Sequence, residues 1–185
     1  VLLSPALSLR TKINICKGYV FSKGNYNCGT WPPLLRSSAK RFHNAIMHIY
    51  RAAVGNYYIK DSSNFHLKPD SEIISDNSFL SPLALIRLSR VSLLTRIIRK
   101  KSAYVLGLIR GLSSMNTGWI SLIRGDLSLL SHSPDLGHFA NLSLIEALNV
   151  IEQDPRYHHN KFRKTLQLPI LAFMLTNLLE GRTTH

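Results

Sequence analysis

Acidic residues are scarce here: 10 Asp and Glu stand against 23 Lys and Arg, a formal charge of +13 at pH 7. The carboxylates, Asp61, Asp70, Glu72, Asp76, Asp126, Asp135, Glu146, Glu152, Asp154 and Glu180, are thinly spread. Two-metal chemistry needs clustered carboxylates that hold cations about 4 Å apart, and no such local motif occurs. Glu72 and Asp76 share a helical spacing and read as a solvated face or cap. Cysteine is nearly missing: Cys16 and Cys28 make neither a disulfide framework nor a zinc-ligand pair, so free thiols are expected. The histidines offer no metal motif. His43 and His48 miss the i, i+4 ligand spacing, and His158-His159 are adjacent and face different sides of a helix, so surface or nucleic-acid contact is expected of them. No nucleophile elbow and no phosphate loop is present; Gly107, Gly111 and Gly125 sit inside apolar helical patterns. No catalytic residue, metal ligand, cofactor or small-molecule substrate is therefore assigned to the chain. Long apolar runs are also missing. The best, residues 166–179, spans 14 residues and holds Gln167, Pro169, Thr176 and Asn177. A membrane span needs about 20, so this run reads as a core helix and no membrane partner is expected. Asn141-Leu142-Ser143 is sequon-like but carries little weight without a secretory signal. Val1 to Leu9 makes no complete targeting signal, and for a chain that opens on Val1 either processing removed an N-terminal portion or the sequence is a piece of a larger product. The location expected is intracellular, nuclear or cytoplasmic.

What is present is apolar residues at helical spacing. Hydrophobic residues make up 45% of 185, enough to bury a core and too many for a disordered tail. Residues 6–22 place Leu9, Ile13, Cys16 and Val20 on one stripe. Residues 34–54 place Leu35, Ala39, Phe42, Ile46, Ile49 and Ala53 on another, with Arg36, Lys40, Arg41, His43, Asn44, His48 and Arg51 on other faces and Gly55 as the stop. Asp70 or Ser71 caps a short helix with Glu72, Ile73 and Ile74. Ser81-Pro82 opens a helix to about Lys101, striped by Ala84, Leu88, Val91, Leu94 and Ile98. Further helices are expected over 103–112, largely buried; after Thr117, with Trp119, Leu122, Ile123, Leu127 and Leu130 on one side; over 142–152, stopped before Asp154-Pro155; and over 156–180, interrupted at Pro169. No strand and no repeat is evident. The fold class is all-α: a basic multi-helix bundle of thumb-like helices (1–56) followed by a second helical group (57–185), divided in the polar connection 56–69.

Basic faces are the positive signal. No acid interrupts Asn77 to Gly125, a span holding Arg87, Arg90, Arg96, Arg99, Lys100, Lys101, Arg110 and Arg124. Arg96, Arg99 and Lys100 fall at i, i+3, i+4 and share one face. Arg36, Lys40 and Arg41 form a second patch, and Lys161, Arg163 and Lys164, beside the paired histidines, a third. Such faces neutralise phosphates and hold a backbone without reading sequence. Trp31, Tyr50, Tyr57 and Tyr58 flank the second patch, as stacking platforms or, for Trp31 as for Trp119, as core.

The order of short marks resembles one family. Arg10-Thr11-Lys12, an apolar helix, Ser22-Lys23-Gly24-Asn25-Tyr26-Asn27-Cys28-Gly29-Thr30-Trp31, a basic helix and Tyr50-Arg51 resemble the region just after the palm of a non-LTR (LINE-type) retrotransposon reverse transcriptase. Ala84-Leu85-Ile86-Arg87-Leu88-Ser89-Arg90-Val91 resembles the family's leucine- and arginine-rich helix. Gly118 to Leu127 resembles a downstream Trp…Asp-Leu segment seen in retroelement products of some protists. The likeness spans residues 2 to 165 in short, degenerate motifs. It implies a fragment of an RNA-directed DNA polymerase, thumb and following helices, that grips an RNA or RNA–DNA template–primer duplex by its backbone. The palm's paired aspartates are missing, and Tyr58-Ile59-Lys60-Asp61 does not replace them, so magnesium and the bond-making residues would belong to the absent palm. The phosphate contacts implied are Lys12, Lys23, Arg36, Lys40, Arg41, Arg51, Arg87 and Arg90, joined by Arg96, Arg99 and Lys100 of the acid-free helix. Two other classes fit a basic helical chain: an RNA-associated structural protein, such as an organellar ribosome component, and a helical protein on anionic membrane.

Overall fold

A computed structural model describes residues 2, 4–16, 18, 27–55, 58–61, 64–115 and 118–166, with the backbone alone for 58–61, 64 and 65. The fold is mostly helical, an all-α multi-helix architecture. In chain order its elements are α1 (Leu9–Ile15), a 3-10 turn (Cys28–Thr30), α2 (Arg36–Val54), β1 (Tyr58–Asp61), β2 (Asn64–Leu67), α3 (Asp70–Asp76), α4 (Pro82–Arg99), α5 (Ala103–Gly111), α6 (Gly118–Leu130), a 3-10 helix (Pro134–Asn141), α7 (Leu144–Gln153) and α8 (Pro155–Leu166). They group into two compact units, Val1–Tyr26 with Leu35–Leu85 and Pro169–His185, and Asn27–Leu34 with Ile86–Leu168. The division falls inside α4, whereas the boundary expected at 56/57 falls inside the first unit.

In the first unit the apolar stripe of α2 works largely as its spacing predicts. Ala39, Ile46 and Ala53 are buried with Met47 and Tyr50, and all of these but Ala39 pack with Cys16, Ile73, Ile74 and Phe79. Leu35 is the exception at 75% exposed, because it sits in extended backbone ahead of the helix, where the 3.6-residue period does not apply. Gly55 ends α2 at φ 80°, its N–H donating to the Arg51 carbonyl. A left-handed stop of this kind is the usual place for glycine. Ser8 caps α1 by accepting from the Thr11 N–H. Tyr50 lies flat on Phe79 with centroids 4.1 Å apart, and its hydroxyl donates to the Leu80 carbonyl at 2.7 Å. Burial pushes that phenol far above its ordinary pKa, so it stays a donor. Tyr50→Phe keeps the ring packing and orphans the carbonyl. A loss of about 1–2 kcal/mol is expected in urea unfolding, and a loss below about 0.3 kcal/mol would show that water satisfies the carbonyl instead.

The connection 56–69 departs from expectation. β1 and β2 pair antiparallel, Tyr58 opposite Leu67 and Asp61 opposite Asn64, as a two-stranded ribbon. Its alternation is too short to stand out in the sequence, since a lone hairpin depends on its surroundings for stability. In α3, Asp70 is not the cap: Pro69 holds that position, and the Asp70 carboxylate turns to α2 instead. Glu72 and Asp76 do share a face, and both meet the Lys68 ammonium.

The helix α4, whose later turns belong to the second unit, begins where Ser81-Pro82 predicts. The Ser81 hydroxyl accepts from the Ala84 N–H, and the helix ends at Arg99. Val91, Leu94 and Ile98 are buried. On α6, Ile123, Leu127 and Leu130 are buried as expected, with Ile120 and Asp126 added. The Thr117 cap expected there lies outside the described residues. α7 opens with a full capping box, Ser143 with Glu146, and stops at Gln153 ahead of Asp154-Pro155. The surprise is α5. Only Leu106 and Ile109 are buried, and Tyr104, Leu108 and Leu112 are exposed, Tyr104 at 78%. A helix this apolar on every side does not declare in sequence which face has a neighbour. Of the run 166–179 only Leu166, which is buried, is described, and the Pro169 interruption lies outside the described residues.

Candidate nucleic-acid interface

The interface is built from the carboxylates outward, because each acid decides which cations are committed inside the fold. Asp126 is 1% exposed and takes three guanidinium hydrogen bonds: Arg87 Nη1 at 2.6 Å, Arg90 Nε at 2.7 Å and Arg90 Nη2 at 3.1 Å. Asp70 accepts from His43 Nε2 at 2.8 Å and from Arg51, whose other nitrogen donates to the Lys68 carbonyl. The hydrogen bond from buried His43, and then that from Arg51, hold the Asp70 carboxyl below its usual range. His43 is thus a buried structural group rather than the surface contact expected. Asp135 pairs with Lys161 at 2.6 Å, Glu152 with Arg110 at 2.9 Å, and Glu146 and Asp154 cap helices.

Against that inventory the expected phosphate contacts divide. Arg90 is buried and Arg87 and Arg51 are partly buried, and all three are engaged by carboxylates. Their geometry is that of internal ion pairs, which is why they do not present a fork to solvent. Lys12 is partly buried on α1. Lys23 lies outside the described residues. Arg36, Lys40 and Arg41 are exposed on the first turns of α2, and Arg96, Arg99 and Lys100 at the end of α4.

The second unit then gathers what the sequence kept apart. A cleft of about 360 Å³ is lined from α4 by Ser92, Thr95, Arg96 and Arg99, and from α8 by Pro155, Arg156, His159 and Asn160. Arg156, His159, Asn160 and Arg163 stand at i, i+3, i+4 and i+7, a single helical stripe. That spacing was present in the sequence and marks the face that the paired-histidine reading passed over. His158 and His159 do part company. His158 is buried beside Phe139 and Phe162 and bonded to the Asp154 carbonyl, while His159 faces the cleft.

Among the described residues no carboxylate lines this cleft, and three guanidiniums do. The N-terminus of α8 adds little pull on an anion, since the Asp154 carboxylate already accepts from the Tyr157 N–H at 2.9 Å. The Thr95 hydroxyl donates to the Ser92 carbonyl at 3.1 Å and lies 3.4 Å from His159 Nδ1, a long contact that leaves its oxygen to accept from that ring N–H. Burial first, then the positive charges of Arg163, Arg99 and Arg96, hold the His159 imidazole below its ordinary pKa. The unfolded ring takes up a proton near 6.5, before the folded one, so this contribution to stability is present above that pH and lost as pH falls from there through the lower folded value. An anion in the cleft would reverse the balance.

Among the described residues no group of three or more His, Cys, Asp or Glu gathers to hold a metal ion, and no helix is long and apolar enough to cross a membrane. No protein-family model, curated protein or solved structure matches the chain.

Proposed function

We propose that this chain binds the sugar–phosphate backbone of a nucleic acid, with the Arg96–Arg99–Arg156 face of the second unit as its principal contact. The observation that carries the reading is the cleft itself: three exposed guanidiniums and a histidine from two helices, with no carboxylate in its lining among the described residues. Arginine suits this role because its planar fork matches phosphate geometry and stays charged. In the first unit, Arg36, Lys40 and Arg41 on α2 form a basic patch of their own that would hold a backbone without reading bases.

The finer reading is that of the duplex-holding helices of a retroelement RNA-directed DNA polymerase, the bond-making residues belonging to a palm. Its support is that three of the blocks carrying that resemblance, those of Gly29, Ser89-Arg90 and Trp119 to Asp126, meet at one joint of the second unit. Gly29 lies against Ser89, Trp119 donates to the Gly29 carbonyl at 2.6 Å, and Arg90 grips Asp126. Those blocks therefore hold the unit together, while neighbouring exposed arginines meet the backbone.

The test is binding to an RNA–DNA duplex across a salt series. The logarithm of affinity should fall linearly with that of salt, and replacing Arg96, Arg99 and Arg156 by Ala should flatten the slope by up to about 2.7, at ~0.9 for each phosphate no longer neutralised. An unchanged slope would remove the cleft from the interface. Tighter binding to folded RNA than to the duplex would favour the RNA-associated structural role instead.

A further inference from the structure

We propose that the α4–α8 cleft receives a strand end: it binds the terminal phosphomonoester of a nucleic acid, and mid-chain phosphodiesters lie on the exposed cations outside it. This rests on the backbone-binding reading above and narrows it to a ligand.

Three observations carry it. The first is shape. A backbone running past a protein needs an open stripe, as the α2 patch offers, whereas this site is concave, and its volume of about 360 Å³ has room for a terminal phosphate with part of the nucleotide that carries it. It lies near the low end of the ~300–1,000 Å³ range of small-ligand pockets. The second is charge. A phosphodiester carries one negative charge, whereas a terminal monoester carries about −1.5 to −2 at pH 7 and offers three acceptor oxygens. Arg96, Arg99 and Arg156 around one space exceed what a single diester neutralises. His159 stands beside them; burial, and after it the charges of Arg163, Arg99 and Arg96, hold its pKa below the ordinary value, and a dianion would offset the second of these causes. The third is the polar lining. Ser92 and Asn160 supply a hydroxyl and an amide, and among the described residues no Phe, Tyr or Trp lines the cleft, so a base finds none of these rings to stack on there. The site is built for the phosphate, not for the identity of the nucleotide carrying it.

The experiment compares strands of one sequence ending in a 5′-phosphate, a 3′-phosphate or hydroxyls only, by fluorescence anisotropy with the full chain at fixed salt. One phosphorylated end should bind at least about tenfold tighter than the hydroxyl-ended strand, the effect of one charge-assisted hydrogen bond. Arg96→Ala with Arg156→Ala should erase that advantage while hydroxyl-ended binding falls less. Asn160→Asp, an exposed position whose change adds a negative charge at the cleft, should do the same in a chain whose circular dichroism is unchanged. Equal binding of all three strands overturns the proposal and leaves backbone binding standing. An advantage that survives both variants places the end elsewhere and also overturns it. Failure to bind any strand overturns the backbone reading as well. Preference for vesicles bearing phosphomonoester headgroups over the phosphorylated strand would reassign the cleft to lipid and overturn it.

Discussion

Asp126→Asn should cost the second unit about 3–5 kcal/mol, the usual loss when one partner of a buried ion pair is removed. The carboxylate is the single acceptor for three guanidinium hydrogen bonds, and the Arg90 side chain is 8% exposed, so it cannot retreat into water when the charge is lost. Arg87 is more exposed and can turn outward, which places most of the penalty on Arg90. The total is a large fraction of the roughly 5–15 kcal/mol that holds a typical domain. In a thermal melt it is a fall in Tm of roughly 10 °C. A pairwise test separates the ion pair from simple packing. Asp126→Leu combined with Arg90→Met removes both charges and keeps apolar volume, and should lie well above Asp126→Asn, because apolar replacement of a buried pair is often neutral. If Asp126→Asn unfolds within about 0.5 kcal/mol of the parent, the triad is not the joint described, and Arg87 and Arg90 return as candidates for phosphate contact.

The same joint shows what sequence could and could not reveal. Helices were legible wherever an apolar stripe met a stop or start signal: α2 with Gly55, α4 with Ser81-Pro82, α7 ending before Asp154-Pro155. These are local rules, and chain neighbours satisfy them. The ion pairs were not legible, because Arg90 and Asp126 are separated by 36 residues and nothing local distinguishes a buried arginine from a solvated one. Arg87 and Arg90 looked like phosphate ligands for the reason that Arg96 and Arg99 still do: they stand on an acid-free helix. Which of the four is engaged depends on where α6 brings its one aspartate. His43 failed in the same way, its partner Asp70 arriving from 27 residues away. The cleft was half legible. Arg96 and Arg99 were visible as a face of α4, and the stripe of Arg156, His159, Asn160 and Arg163 was equally visible on α8, but their convergence needed the fold. The exposed side of α5 escaped because hydropathy reports the tendency to be buried and not the availability of a partner.

Gly29→Ala should destabilise the second unit by about 1–3 kcal/mol, the cost of overpacking a tight contact. A methyl group at this position would lie 2.6 Å from the Ser89 carbonyl oxygen and 2.9 Å from its carbon. Both atoms belong to the backbone of α4, so no side chain can swing aside. The turn must back away, and the Trp119 indole N–H then loses its 2.6 Å acceptor, the Gly29 carbonyl. Reduced freedom in the unfolded chain returns only about 0.4–1 kcal/mol, too little to change the sign. Gly107 provides the control. It lies inside α5, and a methyl group there meets nothing within 4 Å. Gly107→Ala should therefore raise stability by about 0.5–1 kcal/mol through helix propensity alone. Thermal or urea unfolding of the two variants side by side reads the difference directly. The same chemical change should move stability in opposite directions, and a Gly29→Ala protein as stable as Gly107→Ala would show that residues 27–31 do not dock on α4. Trp119 carries the local readout. Its indole N–H resonance should shift in Gly29→Ala and hold still in Gly107→Ala, which ties the loss to this one approach of turn to helix rather than to a general loosening of the unit.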